Sequence, residues 1–252
     1  MNPRAQDGAV ALRLERLSKH FGGLTVLSEV GLDVERGRVH GLIGPNGAGK
    51  TTLINIATGY YQPDAGRVSI LGADVTATGP DRRANLGLAR TFQGARPFSR
   101  LDVRTNLRLA IEQRRRHGGE ARGRQAVREE VERTLEESGL APHAGTLCAH
   151  LTYGQCKQVE IARALAFARL ALLLDEPTAG LSDPEIERCL KLVARHRERL
   201  AILLIEHNMD VVMSLCDQVT VIDAGRHLAT GTPAEVARDP AVIAAYLGSA
   251  YD

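Results

Sequence analysis

The stretch Gly44-Pro45-Asn46-Gly47-Ala48-Gly49-Lys50-Thr51-Thr52 constrains this chain more than any other. It follows the apolar run Val39 to Ile43 and opens a segment, Thr52 to Thr58, that reads as helix. Glycine at 44, 47 and 49 lets the backbone turn tightly, so that successive N–H groups point into one small cavity. Such a cavity at a helix N-terminus binds phosphate, because unpaired N–H groups and the helix dipole both favour an anion. Lys50 adds a full positive charge, and the Thr51 hydroxyl suits Mg²⁺. Strand, glycine-rich loop and helix in that order predict a bound nucleoside triphosphate.

Length and composition restrict what surrounds this loop. A chain of 252 residues fits one large α/β domain, or a core carrying a smaller inserted lobe. Its 44% hydrophobic residues supply a sizeable core, and its 25% charged residues are those of a soluble protein. A net charge of +2 and an aromatic content of 4%, without Trp, give no sign of a base-stacking platform for nucleic acid. Cys148, Cys156, Cys189 and Cys216 lack CxxC spacing and paired histidines, so reduced thiols are expected rather than disulfides or zinc. Met1 to Gly8 is polar, without the apolar stretch of a secretory signal, and no apolar run is long enough to span a bilayer. A membrane role would be exercised from the cytosol, through a partner.

Along the chain, Val10, Leu12 and Leu14 alternate with polar residues, and Leu24 to Val34 is again strand-like, which predicts an antiparallel β subdomain. Phe21 sits in the turn between them; an isolated aromatic there ordinarily packs beneath the loop. From Leu101 to about His150 the pattern becomes helical. The run Arg114 to Gly119, with Arg122 and Arg124, reads as a polar loop, a solvated surface in preference to a contact with lipid headgroups or a partner; a helix follows with Val127, Val131 and Leu135 on one stripe and an Arg128–Glu132 pair. Leu151-Thr152-Tyr153-Gly154-Gln155 precedes a helix expected from about Cys156 to Phe167. Leu170 to Leu174 and Leu200 to Ile205 are continuous apolar runs, typical of strands buried on both faces. Ser182 to Glu185 is a capping box, and Val219 to Ile222 with His227 to Thr230 reads as a hairpin.

Three apolar strands thus end in polar groups: Ile43 before the phosphate loop, Leu174 before Asp175-Glu176, and Ile205 before Glu206-His207. Ligands of open parallel sheets bind beyond the carboxyl ends of the strands, so these groups should gather around one triphosphate. A buried carboxylate pair needs a compensating cation. Asp175 is therefore expected in the Mg²⁺ shell, and Glu176 as the group that orients or deprotonates the attacking water. His207 is expected to contact the γ-phosphate and the attacking water. Gln93, taken alone, is a loop residue.

The order phosphate loop, Gln93, Leu151 to Gln155, Leu170 to Glu176, then His207 resembles the ATP-binding subunit of ABC transporters across nearly the whole chain. The resemblance implies an α/β fold: a P-loop NTPase core with a mixed, mostly parallel sheet, an N-terminal antiparallel β subdomain and an inserted α-helical subdomain. It divides the chain into 1–92 (β subdomain and first part of the core), 93–160 (helical subdomain with glutamine loop and signature) and 161–252 (second part of the core). It implies ATP and Mg²⁺ as cofactors, with Gln93 touching both metal and water and Phe21 stacked on adenine. It also implies a head-to-tail homo- or heterodimer in which Thr152, Tyr153, Gly154 and Gln155 close over ATP bound to the opposite subunit. Tyr153 replaces a usual glycine, Ser182 stands where an aspartate is usual, and the usual proline before Leu170 is missing.

Within that family, Thr91 to Phe98, the signature tyrosine, Ile205 to Asp210 and Asp239 to Gly248 resemble the branched-chain amino-acid transport ATPases. The implied role is an ATPase at the cytoplasmic face of the membrane, serving a separate permease and, indirectly, an extracytoplasmic solute-binding protein, with no nucleic-acid partner. Urea or other amide importers, a lipid or lipopolysaccharide exporter, and a non-transport ABC ATPase acting on nucleic acid or ribosomes are the competing readings.

Overall fold

A computed structural model describes residues 10–92, 94, 97–119 and 123–248. The chain opens with β1 (Val10–Phe21), β2 (Leu24–Glu35) and β3 (Val39–Ile43), then α1 (Lys50–Thr58), β4 (Ala65–Ile70), β5 (Ala73–Asp74), α2 (Pro80–Asn85) and β6 (Leu88–Arg90). A helical stretch follows: α3 (Val103–Gly118), α4 (Arg124–Glu137) and α5 (Tyr153–Phe167). The remainder alternates β7 (Ala171–Asp175), α6 (Asp183–His196), β8 (Ala201–Ile205), α7 (Met209–Leu215), β9 (Gln218–Asp223) and β10 (Arg226–Gly231), and closes with α8 (Pro233–Val236) and α9 (Pro240–Gly248).

Two sheets result. Strands β2, β1, β4 and β5 form an antiparallel sheet in that order. The second sheet runs β10-β9-β3-β8-β7-β6 and is parallel from β9 to β6, with β10 antiparallel at the edge. Every residue of β3, β7 and β8 is buried, as continuous apolar runs require when both faces are covered. Successive side chains alternate between faces. Leu42, Leu173 and Leu203 join the core shared with α1 and the antiparallel sheet. Ile43, Leu172, Leu174 and Leu204 join the core shared with the helices of the other face. The expected mixed sheet, β subdomain and helical insertion are therefore present.

Several local expectations change. Helix α1 begins at Lys50 rather than Thr52, because Gly49 takes the cap position at φ 99°. Helix α5 begins at Tyr153 rather than Cys156: the Thr152 hydroxyl accepts from the Gln155 N–H, and the Gln155 side-chain oxygen accepts from the Thr152 N–H. This is a capping box, in which two orphan donors of the first turn are satisfied reciprocally. Of the expected arginine loop, Arg114 to Gly118 are helical and Arg124 opens α4. Helix α3 continues through Gly118, where Arg114 and Arg115 pair with the buried carboxylate of Glu130 on α4. With no apolar residue in the run, periodicity is silent there, and the helix is held by its tertiary neighbour. Glu132 pairs with Arg104 across the two helices, not with Arg128. All four cysteines are free thiols, and burial pushes Cys189 and Cys216 up to about 12.

One buried charge anchors the helix that carries the phosphate loop. Arg83 is fully buried on α2 and donates to the carbonyls of Ile56 and Ala57 at the end of α1, and to those of Val75 and Thr76. The last carbonyls of a helix have no partner within it, so this guanidinium completes α1. Burial lowers its pKa to about 10, which leaves it charged at neutral pH. Arg83→Met is expected to destabilise the fold by about 3 kcal/mol, since four carbonyls lose their donor inside the protein. A denaturant midpoint unchanged from wild type would refute that role.

Candidate active site

Strand β3 ends at Ile43 and the chain turns at once into the loop over 44–52. Gly44 sits at φ 153°, and a Cβ there would lie 2.0 Å from the Ile222 carbonyl oxygen, so no side chain fits. Gly49 at φ 99° is equally confined, with the Val26 carbonyl oxygen 2.8 Å from where a Cβ would sit. Pro45 and Ala48 are buried, while Asn46, Gly47 and Thr51 are exposed and Thr52 is half-buried at the start of α1. Lys50 folds back over the loop and donates to the carbonyls of Gly44 (2.6 Å) and Pro45 (2.8 Å). Burial lowers its pKa, opposed by the carboxylates of Glu176 and Asp175. A bound phosphate would meet this ammonium among convergent N–H groups.

The other strand ends arrive beside it. In the parallel register Leu42 pairs with Ile205, and Ile205 pairs with Asp175. Asp175 is 3% exposed, and burial, the largest influence, raises its pKa despite a hydrogen bond and ion pair to Arg90. Arg90 Nη2 lies 3.0 Å from its carboxylate, and Arg90 Nη1 lies 2.5 Å from Asn55 Oδ1 on α1. Glu176 adopts φ 48° and donates its N–H to the Ile205 carbonyl. That left-handed conformation is costly for a non-glycine residue, and it turns the carboxylate out of the strand direction. His207 Nδ1 stands 4.0 Å from Glu176 Oε1, with the imidazole 63% exposed. Glu206 belongs elsewhere: buried, it accepts from the Thr178 N–H and hydroxyl and holds the turn after Pro177.

Thr51 and Asp175 offer a hydroxyl and a carboxylate, the hard oxygen ligands that Mg²⁺ takes. Among the described residues, no group of three or more His, Cys, Asp or Glu side chains is arranged to hold a metal. A cation here would share its shell with phosphate oxygens and water. The residues present fit Mg²⁺ bound with a nucleotide.

Phe21, at the end of β1, is 43% exposed and meets Tyr61 edge to face at 5.4 Å, with the Lys19 ammonium 5.5 Å from its ring centre. It is not packed beneath the loop. Gln93 lies outside the described residues. The signature residues make their contacts with His143, Ala179 and Glu185. Gly154 faces the Glu185 carboxylate, which would lie 1.9 Å from an added Cβ, and the Tyr153 hydroxyl donates to the Ala179 carbonyl at 3.4 Å. Ser182 donates to Glu185 from both its N–H (2.9 Å) and its hydroxyl (2.7 Å), as a helix cap does.

Three residues near the site escaped the sequence reading. Arg90 and Asn55 lie inside a strand and a helix with no motif to flag them. Tyr246 on α9 is half-buried: burial raises its hydroxyl pKa, and the nearby backbone of Gly44 in the phosphate loop partly offsets that. Arg90 also forms part of the wall of an apolar groove of about 400 Å³ between α1, α2 and β6 on one side and α3 and α5 on the other. Tyr60, Phe92, Phe98 and Phe167 line it, and the Arg90 guanidinium sits 5.1 Å from the Phe92 ring centre and 5.8 Å from that of Tyr60. Across the groove, the Glu160 carboxylate on α5 accepts from the Phe92 N–H at 3.1 Å.

Comparison with known proteins agrees with this geometry. A family model described as ABC transporter matches residues 27–179, and one described as branched-chain amino acid ATP-binding cassette transporter matches residues 226–252. The chain is 38% identical to the high-affinity branched-chain amino acid transport ATP-binding protein LivG of Salmonella typhimurium, covering 95% of this chain and 98% of that one. It is 39% identical to BraF of Pseudomonas aeruginosa, described in the same words, with the same coverage. The lipopolysaccharide export system ATP-binding protein LptB of Haemophilus influenzae is 34% identical, over 95% of this chain and 98% of that one. Among solved structures, a nucleotide-free ATP-binding cassette from an ABC transporter superposes with a TM-score of 0.81 at 30% identity, covering 94% of this chain and 98% of that one. Another cassette in its ADP conformation gives 0.79 at 30% identity, covering 95% and 99%.

The Arg90–Asp175 pair is nearly buried, with side chains 9% and 4% exposed. Removing one member of a buried pair leaves the other charge uncompensated. Arg90→Gln is expected to destabilise the nucleotide-free protein by about 3 kcal/mol, with Mg²⁺ and ATP recovering most of the loss at Asp175. Thermal melts with and without Mg²⁺ and ATP test this; no loss in the nucleotide-free melt would refute it.

Proposed function

The chain belongs to the ABC transporter family, as an ATP-hydrolysing ATP-binding subunit, and from that premise we propose that it powers uptake of branched-chain amino acids. A related amino-acid or amide solute, urea included, would use the same ATPase chemistry. The observation that carries the catalytic reading is the convergence of three parallel strand ends on Lys50, with Asp175 and Glu176 close enough to act on its pKa.

In this reading Phe21 stacks on adenine, and the N–H groups from Gly44 to Thr52 with the Lys50 ammonium hold the phosphates. Thr51, Asp175 and Gln93 hold Mg²⁺, which when bound neutralises charge that develops on the phosphate oxygens. Glu176, held at the strand end by its N–H bond to Ile205, orients the attacking water and takes its proton. His207, beside Glu176, contacts the γ-phosphate. Thr152, Tyr153, Gly154 and Gln155 act on ATP held by a second subunit, homologous or identical. Among the described residues their hydrogen bonds and close contacts run to His143, Ala179 and Glu185 and not to the loop of the same chain, which supports a composite site. Residues 93–160 then form the lobe that carries the signature, between core segments 1–92 and 161–252.

No helix among the described residues is long and apolar enough to cross a membrane. The permease is a separate protein, and the apolar groove beside Arg90 is where we dock its cytoplasmic surface, with Phe98 (52% exposed) and Tyr60 (52% exposed) as contacts. The subunit works at the cytoplasmic face of the membrane, and a solute-binding protein outside it delivers the cargo to the permease. Lipopolysaccharide export is the second reading, on the 34% identity to LptB. The importer-type match over residues 226–252 favours uptake.

Glu176→Gln is expected to keep ATP binding while lowering hydrolysis by about 10²–10⁴-fold, read by nucleotide binding and phosphate release on the same preparation. Hydrolysis within twofold of wild type would sink the assignment of Glu176. Uptake of labelled leucine by vesicles holding the subunit, its permease and the binding protein separates import from export.

A further inference from the structure

A cavity of about 760 Å³, apart from the nucleotide site, occupies the cleft between α3 and α4. Two charge ladders face each other across it. On α3, Arg104, Arg108 and Glu112 recur every fourth residue and lead to Arg115 and Arg116; on α4, Arg124, Arg128 and Glu132 do the same. Residues four apart share one helix face. Glu132 on α4 pairs with Arg104 on α3, and Arg108 and Arg128 line the same cleft. Guanidinium groups gathered in one cleft repel one another unless an anion lies among them.

The charge in the cleft is unbalanced. Six arginines line it against two glutamates, and both glutamates are engaged, Glu132 with Arg104 and Glu112 with Arg108 at 3.9 Å. Glu130, beneath, is taken by Arg114 and Arg115. Arg116, Arg124 and Arg128 have no acidic partner among the described residues. The start of α4 adds to the excess: its first turn has no acidic residue and no side-chain cap, and Arg124 is its first residue. A cation at the positive end of a helix dipole is unfavourable, and an anion bound there would reverse the sign of that interaction. Apolar Leu109, Val127 and Val131 also line the cleft, and low-dielectric walls concentrate the field of the charges around them.

We propose that this cleft binds the phosphate headgroups of anionic lipids in the membrane leaflet beside the permease. The choice of lipid over a soluble phosphate rests on the importer reading above. It follows from continuity: Leu109 and Gln113 line both this cleft and the apolar groove assigned to the permease, so the two sites adjoin along α3. A subunit seated on its permease through the groove therefore carries the arginine cleft toward the neighbouring headgroups. Polybasic surfaces next to a membrane gain binding from each arginine, and salt screens the gain.

The test uses the purified full chain with phosphatidylcholine vesicles, with and without phosphatidylglycerol, read by co-sedimentation at low and high salt. Wild type is expected to bind the anionic vesicles at least about tenfold better than the neutral ones, and to lose that preference at high salt. R116E/R124E/R128E is expected to lose the preference while its basal ATP hydrolysis and melting temperature stay at wild-type values. Should that variant fold poorly, R124Q/R128Q reads the same effect in smaller measure. Equal binding of wild type and a folded variant, or no preference for anionic vesicles, overturns the proposal. Stabilisation of wild type but not the variant by free glycerol phosphate, without vesicle binding, makes this a soluble-phosphate site and also overturns the lipid assignment. These readouts contain no transport step, so a failed leucine-uptake experiment and a failed lipid cleft remain distinguishable.

Discussion

The parallel register of β3, β8 and β7 is the constraint on which the rest depends. Leu42 pairs with Ile205 and Ile205 with Asp175, so the three chains leave the sheet at one level. A slip of one residue would turn every side chain to the opposite face. It would place Asp175 toward the wrong layer and break the alternation that sends Leu173 and Leu203 to one core and Leu172 and Leu204 to the other. The fully apolar strands thus do more than fill the interior. Their burial on both faces fixes the height at which Lys50, Asp175 and Glu176 meet.

That meeting point holds charges that water would otherwise solvate. Asp175 is desolvated enough for its pKa to rise even with Arg90 bonded to it. For a carboxyl group raised in this way, the folded state binds the proton more tightly than the unfolded chain. Its ionised form is therefore a cost above the ordinary carboxylate range, and that cost is relieved as pH falls. A divalent cation relieves it without protonation, so the site has a physical reason to take metal together with nucleotide. Arg90 partly serves that purpose in the meantime, and its guanidinium also forms part of the wall of the groove assigned to the permease. One side chain thereby touches both the carboxylate proposed to hold the metal and the surface where a membrane partner would press.

Some features could be read directly because they are local. The phosphate loop is a contiguous pattern whose glycines answer to the Ile222 and Val26 carbonyls that crowd them. The Asp175-Glu176 pair announces itself by ending a run of leucines, and the Ser182 capping box appears where its spacing predicts. Other features were misread for equally physical reasons. Thr152 and Gln155 also have capping-box spacing, and they start α5 at Tyr153 rather than at Cys156. The arginines at the end of α3 carry no apolar period, so only their ion pairs with Glu130 show them to be helical. Arg128 and Glu132 have the spacing of a helical pair, but Glu132 finds Arg104 on the neighbouring helix instead.

The sequence by itself determined the phosphate loop, the strands that feed the site, the ABC-type order of motifs and hence the kind of chemistry, because each is a short-range pattern of residue types. Only the tertiary structure decided which charges meet. Arg90 with Asp175, Arg83 with the end of α1, Tyr246 with Gly44, and the two arginine ladders across one cleft join residues far apart in the chain. Ion pairing and burial depend on distance in space, and no spacing along a single chain encodes which distant side chain will supply the partner.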